Sequence, residues 1–325
     1  MSIRRPLLLP LVPLYRLALA THDQRLVSGR ERVRRLSQPV ISIGNLSTGG
    51  AGKTPLTIAL ARALTARGVS VDVLSLGYGR RDRSAARVRT EGAAEQFGDE
   101  PLLIARAAGV PVYVAAERFD AGRLAEADAA PASVHILDDG FQHRQLYRDI
   151  DILLLNREDW HDRLLPAGNL RETLQAARRA SAIAIPEQDT ELERELRLWG
   201  WAGPVWHLRR EMEVPPVTGP VVAFCGIARP DQFFLGLEAA GAKLAAWKVY
   251  RDHHRYTPRD LERLREMAAN RGVAEVLTTK KDAVRMGALA SALPLKTVGL
   301  RVEIEAAALD WLIERIQQSA RKPAL

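Results

Sequence analysis

The chain has 325 residues, 47% of them hydrophobic and 26% charged, which is enough for two ordinary globular domains and too balanced for disorder. Its single cysteine, Cys225, excludes an intrachain disulfide framework and fits a reducing compartment. A formal charge of +8, from 47 basic and 39 acidic residues, admits nucleic acid, an anionic membrane or a phosphorylated substrate as partner.

That charge is concentrated at the start. Residues 1–39 carry eight arginines, Arg4 and Arg5 among them, against Asp23 and Glu31, a local +6 out of the +8. The same segment holds the apolar run Pro6–Tyr15 and then Leu17–Ala20, interrupted by Pro10, Pro13 and Arg16. A spanning helix needs roughly 20 apolar residues, so this run is too short. Residues 1–38 therefore read as a membrane-associated segment lying in the interface, with apolar side chains at the acyl boundary and arginines among anionic head groups. The competing readings are a helix packed on the protein's own core and a secretory leader, the second of which would strand the nucleotide motif below outside the cytoplasm.

From Pro39 onward, short β-branched runs alternate with stretches of helical period, the pattern of an α/β fold with a parallel sheet covered by helices. Strands are expected at Val40–Ile43, Val69–Ser75, Val112–Val114, Val134–Leu137, Ile150–Leu155 and Ala182–Ile185. Helices are expected at Pro55–Arg67, Glu100–Ala108, Arg118–Ala127 and Leu170–Arg178, completing a first domain over 39–210. Proline and glycine crowd 211–220, which reads as a linker. A second, smaller α/β domain over 221–295 follows, with strands Val221–Phe224, Leu244–Val249 and Glu275–Thr278 and helices Pro230–Ala240, Pro258–Asn270 and Lys281–Leu289. Residues 296–325 read as an extended run and a last helix, Ala306–Ser319, returning to the first domain.

The strongest local signal is Val40–Ala61, read as strand, glycine-rich loop and helix. Ser47, Thr48, Gly49, Gly50, Ala51, Gly52, Lys53 and Thr54 would form a phosphate-binding loop. Glycines let the backbone N–H groups turn inward, and the following helix offers its positive end. Lys53 would reach the β- and γ-phosphates of ATP, and Thr54 would hold Mg²⁺. Ser47 stands where the usual pattern has glycine, and Thr48 where partitioning-type ATPases carry a lysine.

A metal shell also needs acidic groups at the end of a neighbouring strand, and Ser133–His143 supplies an apolar strand ending in Asp138-Asp139-Gly140. Two adjacent carboxylates there repel unless a cation or donors hold them. A solvated turn is the plain alternative. His143 lies beyond the acidic pair, but Mg²⁺ prefers oxygen, so it reads as structural or as a phosphate donor.

The set Gly44–Pro55, Gly77-Tyr-Gly-Arg80, Gly98-Asp-Glu-Pro101, Asp138–His143, Leu165–Glu172, Cys225–Pro230, Asp252-His253 and Thr279–Val284 resembles the tetraacyldisaccharide 4'-kinases across most of the chain and in their order. The resemblance implies a phosphate-loop kinase that transfers the ATP γ-phosphate to the 4'-hydroxyl of an acylated diglucosamine 1-phosphate lipid at the cytoplasmic face of the inner membrane. It implies a membrane-contacting N-terminal helix and a two-stranded hinge, for which Val205–Val217 and Lys296–Glu305 are candidates. It further implies Asp99 and His253 as the dyad that accepts the hydroxyl proton, His253 being preferred to His254 because it follows Asp252. Without the resemblance, a helix cap just ahead of Glu100-Pro101 is the plain alternative for Asp99. Asp138, Asp139 and Glu100 join Thr54 as metal candidates, Asp139 also lying by the transferred group, and Tyr78, Arg80 and Arg171 are weaker acceptor or phosphate contacts. Lys280 and Lys281 face the cleft or solvent. The anionic membrane surface is the expected partner and nucleic acid is not, for want of a basic stripe with interleaved aromatics; the chain is expected as a monomer.

Overall fold

The computed structural model describes residues 5–320, so Arg4 of the basic segment and residues 321–325 of the C-terminal segment lie outside the described residues. In chain order the strands are β1 (Val40–Asn45), β2 (Val71–Ser75), β3 (Ala86–Arg87), β4 (Val112–Val114), β5 (Val134–Asp138), β6 (Ile150–Leu154), β7 (Ala182–Pro186), β8 (Val205–Glu213), β9 (Val221–Cys225), β10 (Leu244–Val249), β11 (Val276–Thr279) and β12 (Leu295–Ile304). The α-helices are α1 (Val12–Val27), α2 (Lys53–Ala66), α3 (Ala94–Phe97), α4 (Asp99–Ala108), α5 (Arg118–Glu126), α6 (Arg157–Trp160), α7 (Thr190–Leu198), α8 (Pro230–Ala239), α9 (Pro258–Asn270), α10 (Lys280–Met286) and α11 (Ala306–Ala320).

The strands join one sheet in the order β10-β9-β11-β12-β8-β7-β6-β1-β5-β2-β4-β3. Its pairings are parallel except β3 with β4 and β8 with β12. β1, β2, β5 and β6 are buried along their whole length, as strands covered on both faces must be. Their two-residue period divides the core: Ile41, Ile43, Val73 and Ile136 pack toward α2, α4 and α11. Val40, Leu74 and Leu137 pack on the opposite side with α5. β1 lies between β6 and β5, so the chain reverses direction across the sheet at its carboxyl end, where open α/β sheets hold ligands.

β8 and β12 each serve two neighbours. Val205–Leu208 pairs with β7, and Leu208–Glu213 runs antiparallel to Gly299–Ile304. Leu295–Val298 then continues beside β11. The expected linker therefore begins later than 211, because Glu211, Met212 and Glu213 find strand partners in Arg301, Leu300 and Gly299.

Other elements differ from the sequence reading, among them the short β3, α3 and α6, which were not expected. The helix expected at Leu170–Arg178 is a loop followed by a 3-10 turn over Leu174–Arg179. Backbone groups that would start that helix are used elsewhere: the Arg171 N–H donates to the Leu46 carbonyl at 2.7 Å and the Leu170 N–H to that of Arg163 at 2.9 Å. α7 was unanticipated; the Asp189 carboxylate accepts from the Leu192 N–H and caps it, and Leu192 and Leu196 bury its apolar stripe.

α1 is apolar on both sides. Val12, Tyr15 and Leu19 pack inward on the β6–β7 side of the core, while Leu14 and Leu17 are 67% and 61% exposed. The reading as a helix packed on the core thus accounts for one face alone. Among the described residues no helix is long and apolar enough to cross a membrane.

Candidate active site

β1 ends at Asn45, and the loop from Leu46 to Gly52 turns the chain into α2 with Gly49, Gly50 and Gly52 all at positive φ. That backbone favours glycine, and it opens the N-terminal N–H groups of α2 toward the cleft. The loop is braced from outside by the Leu165–Glu172 run. Ser47 bridges Leu170, and the Thr48 N–H donates to the Asn169 carbonyl at 2.8 Å. Ser47, the departure from the usual glycine, accepts a hydrogen bond from Asn45 Nδ2 at 3.0 Å.

Lys53 Nζ donates to Asn45 Oδ1 at 2.9 Å and stands 3.5 Å from Asp139 Oδ1. Arg171 grips the same two residues, its Nη2 donating to Asn45 Oδ1 at 2.6 Å and to Asp139 Oδ1 at 3.0 Å. Arg171 and Lys53 thus converge on the loop mouth, where phosphate oxygens would meet both.

The two aspartates divide sharply. Asp138 ends β5, is buried, and accepts from Thr57 Oγ1 at 3.0 Å. Burial first, then the charges of Glu100 and Asp139, push its carboxyl up to about 7. Asp139 turns out at φ 50°. Burial would raise its carboxyl too, but Lys53, Arg171 and Arg118 hold it below the usual carboxylate range. Among the described residues no three acidic, histidine or cysteine side chains form a metal cage. Crowded carboxylate oxygens beside a phosphate loop instead fit a cation that takes one or two carboxylates and keeps waters and phosphates as its other ligands.

Across the cleft, Gly98 caps α4 and Asp99 is its first residue, so Asp99 is not the cap. Its Oδ1 accepts from the Glu100 N–H at 3.0 Å, and its Oδ2 lies 3.2 Å from His253 Nδ1. His253 reaches it from a left-handed backbone at φ 57°. His254 points elsewhere, its Nε2 3.1 Å from Asp260 Oδ2 and its ring stacked on Tyr250. Tyr78 packs beside His253, ring centroids 5.2 Å apart. Arg80 turns back to its own loop, with Nη2 donating to the Ser84 carbonyl at 2.7 Å, and does not line the cleft.

Two participants, Arg285 and Arg118, escaped sequence reasoning. Arg285 is 6% exposed at its side chain and lies 2.5 Å from Asp99 Oδ2 through Nε and 3.2 Å from Asp282 Oδ1 through Nη1. Burial opposes ionisation of Asp99, but the hydrogen bond to His253 and the charges of Lys281 and Arg285 carry its carboxyl far below the usual range. Lys281 Nζ donates to Glu100 Oε1 at 2.6 Å, and Lys280 lines the same cleft from a more exposed position beside Glu213. Arg118, at the start of α5, faces Asp139 and Asp138, which oppose the effect of burial on its guanidinium. Its place after the carboxyl end of β4 was the available signal for Arg118. Arg285 lies one residue past the Thr279–Val284 run, and nothing local marked it.

One cleft of about 1250 Å³ is lined by residues 48–54, Tyr78, Glu100, Arg118, Asp138, Asp139, Arg171, His253 and Lys281, with Asp99 and Arg285 buried behind His253. It can hold a polyphosphate at the loop and place a second substrate between that phosphate and His253.

Comparison with known proteins converges on one family. The family model described as Tetraacyldisaccharide-1-P 4'-kinase (LpxK) matches residues 4–318. The chain is 40% identical over 324 residues to the Tetraacyldisaccharide 4'-kinase of Koribacter versatilis (strain Ellin345), covering 95% of this chain and 98% of that one. It is 39% identical over 328 residues to the protein of the same name from Anaeromyxobacter sp. (strain K), covering 92% and 86%. A crystal structure of the "apo" form of LpxK from Aquifex aeolicus in complex with ATP superposes with a TM-score of 0.77 at 34% identity, over 95% of this chain and 98% of that chain.

Proposed function

Since the chain belongs to the tetraacyldisaccharide 4'-kinase family and is thereby an ATP-dependent kinase of lipid A biosynthesis, we propose a division of labour among its cleft residues. The observation that carries it is the opening of the phosphate loop and of His253 onto the same cleft, with the buried Asp99 3.2 Å behind the His253 ring.

The backbone of residues 47–54 and the Lys53 ammonium cradle the ATP phosphates. Arg171 and Arg118 supply further positive charge where the transferred phosphoryl group passes. Thr54, Asp138, Asp139 and Glu100 are the residues that would hold Mg²⁺, which when bound neutralises charge on the phosphate oxygens. The acceptor is the 4'-hydroxyl of the acylated disaccharide 1-phosphate. A hydroxyl needs its proton taken as it attacks, and Asp99 with His253 orients it and receives that proton. Tyr78, 64% exposed beside His253, offers a face for the sugar.

The outward face of α1, with Leu14 and Leu17 exposed and Arg16 between them, rests on the anionic surface of the inner membrane on its cytoplasmic side. The chain acts there as a peripheral monomer with no nucleic-acid partner.

The test is mass spectrometry of products from purified protein, ATP, Mg²⁺ and tetraacyldisaccharide 1-phosphate, with the bis-phosphorylated lipid expected. A nucleotide-switched ATPase would instead release phosphate without lipid, so vigorous acceptor-independent hydrolysis and no phosphorylated lipid would overturn the assignment of roles.

A further inference from the structure

Two arginines of the cleft have no part in the chemistry above. Arg210 extends from β8, and its Nη2 donates to the Ala51 carbonyl at 3.1 Å. Its Nε is buried with no hydrogen-bond partner. Its guanidinium carbon lies 3.2 Å from the point where a Cβ on Gly52 would stand. Arg229, from the Cys225–Pro230 run just before α8, lies against Gly50, its Cγ 2.9 Å and its Nε 3.3 Å from the corresponding point. Its Nη1 is 3.2 Å from Glu158 Oε2. Ala228 meets Gly49 in the same way at 3.1 Å.

The loop glycines therefore do two jobs. They take positive φ, and they leave room for β8 and the β9–α8 connection to descend on the loop. What descends is mostly cationic. Burial disfavours the charge of Arg210, as does the nearby Arg229, with Asp159 acting the other way. Two like charges gathered over a glycine loop are costly when the site is empty, and an anion between them relieves that cost.

We propose that Arg210 and Arg229 contact the phosphates of ATP from the β8 and α8 side, completing a site whose other part is the loop and Lys53. Guanidinium forks suit this role because they pair with two phosphate oxygens at once. Arg210 also lies opposite Val302 in the β8–β12 pair, so a phosphate held by it ties the nucleotide to the strands joining the two ends of the sheet. The proposal rests on the phosphate-loop assignment.

The test measures ATP and AMP dissociation constants for the full chain, for Arg210→Met, Arg229→Met and Arg210→Lys, and for Lys53→Met in parallel, at several salt concentrations. Each methionine variant should weaken ATP about tenfold, with AMP much less affected, since a hydrogen bond to a charged group is worth that much. The salt dependence of ATP binding should flatten as each cation is removed, and Arg210→Lys should restore part of it. Unchanged ATP affinity in both methionine variants would overturn the proposal. So would a loss that leaves the salt dependence as in the wild type, which would mean that Arg210 and Arg229 only brace the loop. If Lys53→Met also left ATP binding intact, the loop assignment itself would fall.

Discussion

Arg285→Met tests whether the Asp99–His253 pair is held by a buried cation. The side chains of Arg285, Asp99 and Asp282 are 6%, 7% and 0% exposed. Removing the guanidinium leaves Asp282 with the Gly226 N–H, Tyr256 and Thr279 as donors. Asp99 keeps His253 and the Glu100 N–H. Breaking a buried pair from one side costs about 3–5 kcal/mol. For a chain of this length melting as a unit, that is a fall of roughly 4–7 °C in the midpoint. The pH dependence has a definite sign. Asp99 titrates lower folded than unfolded, so the stability it contributes is present above its unfolded value, near 3.8, and is lost as pH falls toward the folded value. The gap in melting temperature between wild type and Arg285→Met should therefore be full at pH 6 and narrow below about pH 4. Calorimetric or circular-dichroism melts across that range measure it, with Arg285→Lys falling between the two. A gap below about 1 °C at pH 6, where burial predicts several degrees, would refute the clamp.

Asp99→Ala should lower turnover at least about a hundredfold while leaving the ATP dissociation constant within about twofold, as read by lipid phosphorylation rates and nucleotide titration. Burial, and then Arg118, Arg148 and Arg34, push the His143 imidazole down to about 4, so between that value and about 6.5 the unfolded chain alone binds the proton and stability should rise with pH. His143→Phe should flatten that rise in melts taken from pH 4.5 to 7. Replacing Leu14 and Leu17 together by aspartate should reduce co-sedimentation with anionic vesicles several-fold without changing ATP affinity, because these residues are exposed on α1 while Tyr15 holds the helix through its bond to the Arg171 carbonyl.

What was legible in the sequence is what lies contiguous in it. The phosphate loop is a strand, a glycine turn and a helix start within a few residues, and each local rule agrees with the others. The β-branched runs of β1, β5 and β6 are readable because burial on both faces demands them. The contacts of Asp99 with His253 and Arg285 span 154 and 186 positions, and no periodicity carries information that far. The helix expected at Leu170–Arg178 failed in another way: a segment with helical composition was drawn out of helix by backbone bonds to the phosphate loop, a tertiary demand that outweighs a weak propensity.

The Asp138-Asp139 pair shows why residue types alone could not assign roles here. As letters the two are interchangeable. Asp138 is the last residue of β5, so the strand alternation sends its carboxylate down against Thr57 on α2, away from water. Asp139 takes the left-handed backbone, which aspartate tolerates better than most side chains, and that single turn delivers its carboxylate to Lys53 and Arg171. One carboxylate is thereby pushed up to about 7 and the other held low. Substitutions should separate them accordingly. Asp139→Asn removes the charge that faces Lys53 and Arg171 and should depress turnover most. Asp138→Asn relieves a buried, disfavoured charge, so the melting temperature without nucleotide should rise or hold even as activity falls. A clear drop in melting temperature for Asp138→Asn would mean that the buried carboxylate is already compensated in the free protein, and the division between the two aspartates would have to be redrawn.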